Sequence, residues 1–395
     1  MCFLTRIWGS LIFGSIIISI ACTRGAPTTE PYKIGINAAL TGPAADTYGP
    51  VYEAINIYFQ KVNDAGGINS HPVRLLAEDD TSDATRAGTN ATKLVQQERV
   101  SVLLLASPAT TYGPVINAAK GGGIPLLMAS VCPKEALPPS DSLIFCTASF
   151  GVLYDSAFAV SFIKEEAKDM AKLGLVALDN PVSRVGIDHA EKLAGDLGIQ
   201  VVIKLVVPAA VTDYTPFAAQ IQQAGANWVF AWAPWSPQIG PFEALQKLGW
   251  RGNYLLWAHQ PAEEEFNRRK ADNLYGLAGQ SMFVEDLPIH KEIRAVAQKY
   301  KTTYPIEHLT EGWVAAMALE QALQRCGWPC GAREMQTALN TLDVDTKGLR
   351  GGKLTFTPDN HFRTKTYYKV YRWDTPRNTI ITVRDWVGID IEPGK

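Results

Sequence analysis

Residues 33–37 read KIGIN, residues 52–63 read YEAINIYFQKVN and residues 73–78 read VRLLAE. The first and third are short aliphatic runs of strand length, while the middle one carries apolar residues at helical spacing and runs out at Gly66-Gly67. A glycine after a helix supplies left-handed backbone, so the three together predict a βαβ unit. The same alternation continues along the chain, with strand-like runs at 100–106, 124–129, 173–178, 201–207, 228–233 and 254–258 and helical stretches between them. One of those helices opens at Asp213-Tyr214-Thr215-Pro216, with proline suited to a first turn. About eight strands separated by full helices exceed one compact sheet, so two lobes are expected. After Asp286 the rhythm changes to three consecutive helical stretches, 291–302, 311–325 and 333–342, followed by β-type runs at 353–357 and 366–373.

Length and composition agree with a folded, two-domain chain: 395 residues, 47% hydrophobic and 19% charged. A net charge of −2 leaves no basic surplus to neutralise phosphates, which argues against nucleic acid as a partner. Arg6 is the only charge before an apolar run from Ile7 to Ala21, the length of a signal-peptide core and short for a membrane span. The run ends at Ser19-Ile20-Ala21-Cys22 and leads into a polar, proline-bearing tether, 22–31. This resembles a bacterial lipoprotein signal, which implies export and lipidation of Cys22. Ser19 departs from the aliphatic residue usual there.

Removing Cys2 with the signal and Cys22 with the lipid leaves Cys132, Cys146, Cys326 and Cys330. Four thiols in an exported chain allow three pairings, and proximity favours Cys132 with Cys146 and Cys326 with Cys330. Zinc competes for the second pair, but no further Cys or His pair lies nearby to complete four ligands. No metal or other cofactor is expected.

In parallel α/β sheets ligands sit at the carboxyl ends of strands. The residues there are Tyr48 beyond the first run, the turn Ser107-Pro108-Ala109-Thr110-Thr111, Ser130 and Cys132, then Ser183 and Arg184, and finally Trp232, Trp235, Trp257 and His259. No HExxH, GxSxG, GxxxxGK[ST] or helix-opening GxGxxG occurs, so catalysis is not the expected activity.

With these residues in hand the chain resembles the branched-chain amino-acid receptor family, the leucine-binding-protein type of periplasmic solute receptor. The most specific pieces are Ile34-Gly35-Ile36, Leu40-Thr41-Gly42-Pro43, Tyr48-Gly49, Asn63-Asp64-Ala65-Gly66-Gly67-Ile68 and Glu78-Asp79-Asp80. The resemblance implies two Rossmann-like lobes with parallel sheets and a three-crossing hinge near 146–150, 279–283 and 355–358. It implies lobes of 32–147 with 282–355 and of 148–281 with 356–395, after a signal peptide at 1–21. It also implies a monomeric ABC-importer component that closes on a small-molecule ligand and presents it to an inner-membrane permease. A sensor lipoprotein and an enzyme on the same scaffold are the competing classes.

Carried over by position, the family's pocket falls on Tyr48, Ser107, Ala109, Thr110, Thr111, Ser130, Cys132, Ser183, Trp235 and the segment Trp257 to His259. Arg184 is added as a carboxylate partner. Amino-acid receptors hold the ligand ammonium with an acidic side chain, and Ala258 stands at that position here. An aromatic or apolar acid is therefore expected, ringed by Trp235, Trp257 and Tyr48, with Asp155 the substitute acid should an amino acid bind. On this reading Trp257→Ala weakens ligand binding and leaves the empty protein's stability nearly unchanged. Each assignment has a plain competitor: Ser107 as a helix cap, Asp79-Asp80 as caps of the next helix, Arg184 as a solvated arginine and His259 as a structural histidine.

Overall fold

The computed structural model describes residues 29–149, 151–208, 210–233, 236–257 and 262–391. The expected signal peptide and Cys22 lie outside them. The βαβ alternation builds a first sheet from β1 (Tyr32–Ala38), β2 (Val73–Asp79), β3 (Val102–Ala106), β4 (Leu126–Met128) and β5 (Ile144–Cys146). Their order is β2-β1-β3-β4-β5 and every pairing is parallel. The central strand β3 is buried at every residue, as its unbroken VLLLA sequence requires of a strand covered on both faces. The covering helices include α1 (Ala45–Asp64), α2 (Ala84–Gln96) and α3 (Tyr112–Gly122). Gly66 and Gly67 take positive φ just beyond α1, as read from the sequence.

The chain then builds a second lobe from α4 (Val152–Ala167), β6 (Lys172–Leu178), α5 (Pro181–Asp196), β7 (Gln200–Val207), α6 (Thr215–Gln223), β8 (Trp228–Trp232), α7 (Ser236–Lys247), β9 (Asn253–Trp257), α8 (Ala262–Arg269) and β10 (Leu274–Ala278). It returns to the first lobe for α9 (Pro288–Tyr300), α10 (Thr310–Cys326), α11 (Ala332–Leu339) and the small hairpin β11 (Asp343–Asp345) and β12 (Lys353–Thr355). It ends in the second lobe with β13 (Lys365–Asp374) and β14 (Thr379–Asp390). The second sheet has the order β14-β13-β10-β9-β8-β6-β7. Its four pairings among β10, β9, β8, β6 and β7 are parallel, as expected, and at one edge β13 and β14 add antiparallel. Short β5, β10 and the polar β14 left no clear run in the sequence.

Crossings between β5 and α4, at 279–282 and at 356–364 join the lobes. The first leaves the carboxyl end of β5 and enters the amino end of α4, which runs antiparallel to β6 and therefore starts at the carboxyl edge of the second sheet. The carboxyl edges of both sheets thus face each other. Val131, just past β4, packs on the core of the second lobe, and Tyr154 of α4 packs on that of the first. Cys132 is bonded to Cys146 and Cys326 to Cys330, the pairs that proximity favoured.

The largest core of the first lobe is the seam between α1 and α10. A Cβ at Gly312 would overlap the Val51 carbonyl oxygen and crowd Ala54, so the two helices meet backbone to backbone. Gly312→Ala is expected to cost about 1–3 kcal/mol through overpacking, despite alanine's better helix propensity. Urea denaturation reads it directly, and an unchanged midpoint would refute backbone contact at this seam.

Candidate functional site at the facing sheet edges

Both sheets reverse strand order where a crevice opens, between β1 and β3 in the first lobe and between β6 and β8 in the second. In the first lobe the acids that close β2 organise the rim. Asp79 Oδ1 accepts from the backbone N–H groups of Leu40, Thr41 and Thr81 at 3.0, 3.2 and 2.9 Å, which fixes the loop leaving β1. Asp80 is fully buried, and its Oδ1 accepts from Ser82 N at 2.8 Å and Ser107 Oγ at 2.9 Å. Burial raises its pKa above the ordinary carboxylate value. Neither acid caps the next helix. That role belongs to Asp83, which accepts from Arg86 N at 2.7 Å.

Ser107 is therefore no helix cap either; its hydroxyl is spent on Asp80. Beyond it Ala109 and Thr110 are exposed, Thr111 is buried with its Oγ1 on the Pro108 carbonyl at 2.8 Å, and the chain runs straight into α3. No side chain caps that helix start. A 3-10 turn, Ala109–Thr111, leads into it, with Thr111 N on the Pro108 carbonyl at 2.9 Å and Tyr112 N on the Ala109 carbonyl, so the N–H groups that can favour an anion here are those opening the turn, at Ala109 and Thr110. Behind the turn Tyr112 donates to the Val131 carbonyl at 2.7 Å and lies 2.8 Å from Ser130 Oγ, tying α3 to the loop after β4.

In the second lobe the floor is built around Asp155, in the first turn of α4 and fully buried. Its Oδ2 accepts from Trp257 Nε1 at 2.9 Å and Trp232 Nε1 at 3.3 Å, and its Oδ1 from Tyr368 Oη at 2.6 Å and Gly151 N at 3.3 Å. The two indoles stack with centroids 4.1 Å apart. Burial outweighs these four donors and pushes the Asp155 pKa up to about 7. At the start of α5 Asn180 caps the Ser183 N–H at 2.8 Å, and the buried Ser183 hydroxyl has no hydrogen-bond partner among the described residues.

The sequence matches the periplasmic binding protein family over residues 31–378. The chain belongs to that family. It is 22% identical over 231 residues to the Leu/Ile/Val-binding protein homolog 1 of Brucella abortus (strain 2308), a match covering 58% of this chain and 61% of that protein. The chain thus spans about three fifths of the length of the curated relatives it matches. Its fold is that of a branched-chain amino-acid ABC transporter protein from Thermus thermophilus with bound valine, at 19% identity and a TM-score of 0.79, covering 91% of this chain and 97% of that one. It is equally that of a solute-binding protein from R. palustris in complex with 4-hydroxybenzoate, at 16% identity and a TM-score of 0.74, covering 92% and 98%. Members of the family bind solutes outside the cytoplasm and are not enzymes.

Within this periplasmic binding protein the sequence-derived residues fall into distinct groups. Ala109, Thr110, Thr111, Ser107 and Ser130 gather at the first-lobe rim, and Ser183 lies at the second. Tyr48 sits in the first turn of α1 and not in a loop; it is buried in the first-lobe core, and burial followed by the nearby Tyr112 and Asp80 lifts its pKa well above the phenol range. Trp257 is the last residue of β9, 1% exposed, with one face taken by Trp232. Its removal would open the core itself, which corrects the expectation that the empty protein would hardly notice. Cys132 has no free thiol, and Arg184 is half exposed and bonded to Asp179 through Nε at 3.1 Å and Nη2 at 2.8 Å, the solvated alternative. Asp155 has both oxygens occupied and is not a free acid for a ligand ammonium. Trp235, Ala258 and His259 lie outside the described residues.

Sequence reasoning missed Tyr112 and Tyr368 as site-building residues, placed Trp232 at its strand end without giving it a role, and read Asp80 as a helix cap. Asp80 and Trp232 carried a local signal, their place at the carboxyl ends of strands.

Proposed function

We propose that the chain is the solute-binding component of an ABC importer that captures a small aromatic or apolar carboxylate between its lobes and delivers it to an inner-membrane permease. The turn Ala109–Thr111 that leads into α3 carries the reading: with no side chain capping it, at Ala109 and Thr110 it offers backbone N–H groups and a hydroxyl to a carboxylate, at the reversal point of the first sheet. A ligand ammonium would need an acid, since a buried cation without one costs several kcal/mol. The acids near these edges are committed: Asp80 is buried, Asp155 takes four donors and Asp179 holds Arg184. Residues 258–261, Ala-His-Gln-Pro, add none. Relatives in fold carry valine or 4-hydroxybenzoate, and the lack of a free acid favours the second kind of ligand.

The same proposal makes 32–147 with 282–355 and 148–281 with 356–395 the two bodies of the clamp, tethered through a lipid on Cys22 and working as a monomer. A thermal-shift and calorimetric series of benzoate, 4-hydroxybenzoate, phenylpropanoate, leucine and valine tests the ligand class. Aromatic acids are expected to raise Tm, by about 2.7 kcal/mol of added stability at 100 times Kd. Leucine or valine binding tightly while the aromatic acids do nothing restores the amino-acid reading. Scattering profiles should contract on saturation, because ligand shifts the open–closed balance through contacts made only in the closed state.

A further inference from the structure

The hinge carries more buried positive charge than its carboxylates answer. Arg350 precedes the third crossing and Arg363 lies within it; they are 6% and 4% exposed. Arg350 pairs with Glu311 at 2.7 Å and donates to the Thr147 carbonyl. Arg363 donates to the Ala148 carbonyl and lies over the Phe362 ring at 4.0 Å, yet among the described residues it has no carboxylate within 4.0 Å. Asp155 and Glu311 reach it only as longer-range charges. Buried charges are normally paired. The Nε atoms of both arginines are buried with no hydrogen-bond partner among the described residues. Both line a cavity of about 10 Å³ whose wall is Gly351 and Gly352 and whose rim carries Lys353 and Lys365, with no acid in its lining. Each lysine already pairs with a carboxylate, Lys353 with Asp343 at 2.9 Å and Lys365 with Asp390 at 3.2 Å. Burial, with Arg350 as neighbour, lowers the Arg363 pKa to about 9, the response of a cation that lacks its counter-charge.

We propose that this cavity binds one small monovalent anion of chloride size between Arg350 and Arg363, pinning the second and third crossings together. The room open to water is about that of one molecule, which favours a monatomic anion over a carboxylate or sulfate. The crossing at 279–282 joins through Gly279, which lines the same space. This assignment is independent of the transported solute.

Two measurements on the wild-type chain decide it. Replacing gluconate by chloride at constant ionic strength should raise Tm saturably by a few degrees, and crystals soaked in bromide should show an anomalous peak between the two guanidinium groups. Arg363→Gln should lose both. Wild-type data alone remain decisive if that variant does not fold. A cavity without a bromide peak is a water site and overturns the proposal. So does a peak without a saturable Tm response, which marks an adventitious ion only, and so does an equal response to sulfate.

Discussion

Replacing Asp155 by alanine is expected to destabilise the protein by about 3–5 kcal/mol at pH 5. The change leaves Trp257 Nε1, Trp232 Nε1 and the Tyr368 hydroxyl without their acceptor in a dry interior, each lost partner costing about 1–3 kcal/mol. The same cost should shrink towards about 1 kcal/mol by pH 8. The sign follows from linkage. The Asp155 pKa rises from an ordinary 3.8 in the unfolded chain to about 7 in the fold, so between those values the folded state holds the extra proton. Stability contributed by this carboxyl is therefore intact below pH 4 and declines as pH climbs to 7, by up to about 4 kcal/mol in all. Alanine has no proton to lose, so part of its penalty is relieved at high pH.

Chemical denaturation of wild type, Asp155→Ala and Asp155→Asn at pH 5 and pH 8 separates the terms. Asparagine keeps one acceptor oxygen and should cost less than alanine at pH 5, with a flatter dependence on pH than wild type. An alanine penalty equal at both pH values would show that Asp155 is ionised throughout, and its four donors would then outweigh burial. The consequence for binding is positional: the carboxyl fixes the indole pair at the ends of β8 and β9, the edge that faces the first lobe.

The sequence disclosed the fold because the signals are local. Unbroken aliphatic strands such as 102–106 and the glycines after α1 need no knowledge of distant residues, and the carboxyl ends of strands give the rim by topology alone. What sequence could not disclose is which polar groups find each other. Asp155 gathers partners 77, 102 and 213 positions away, so nothing near it in the chain announces a buried acid. Three acids stand within five residues at Asp79, Asp80 and Asp83, and only tertiary contacts assign loop bracing to the first, Ser107 to the second and the helix cap to the third. Tyr48 misled because the helical pattern read from the sequence opens at Tyr52, whereas α1 opens at Ala45 and carries Pro50 inside it. Arg184 was ambiguous for the opposite reason: its partner Asp179 is five residues away, and either of two local readings fitted.

Glu311→Ala is the second large effect expected, about 3–5 kcal/mol. Glu311 stands in the first turn of α10, 6% exposed, where the helix dipole favours an acid. One oxygen pairs with Arg350 at 2.7 Å, while the other accepts from the hydroxyl of Ser149 and from its N–H at 3.3 Å. Those contacts bind the first crossing to the approach of the third, so the residue clamps the hinge as well as neutralising a cation. Removing it strands Arg350 in a dry site, and a buried charge deprived of its partner accounts for most of the cost. The pair itself need not be favourable, since a well-packed apolar pair of similar volume is often as stable. Glu311→Met combined with Arg350→Met should therefore recover most of the loss, leaving about 1–3 kcal/mol for the Ser149 and Thr147 groups that lose their partners. A double variant as unstable as the sum of its parts would refute charge stranding as the cause, and would place the energy in the hydrogen bonds that tie Ser149 and Thr147 to this cluster.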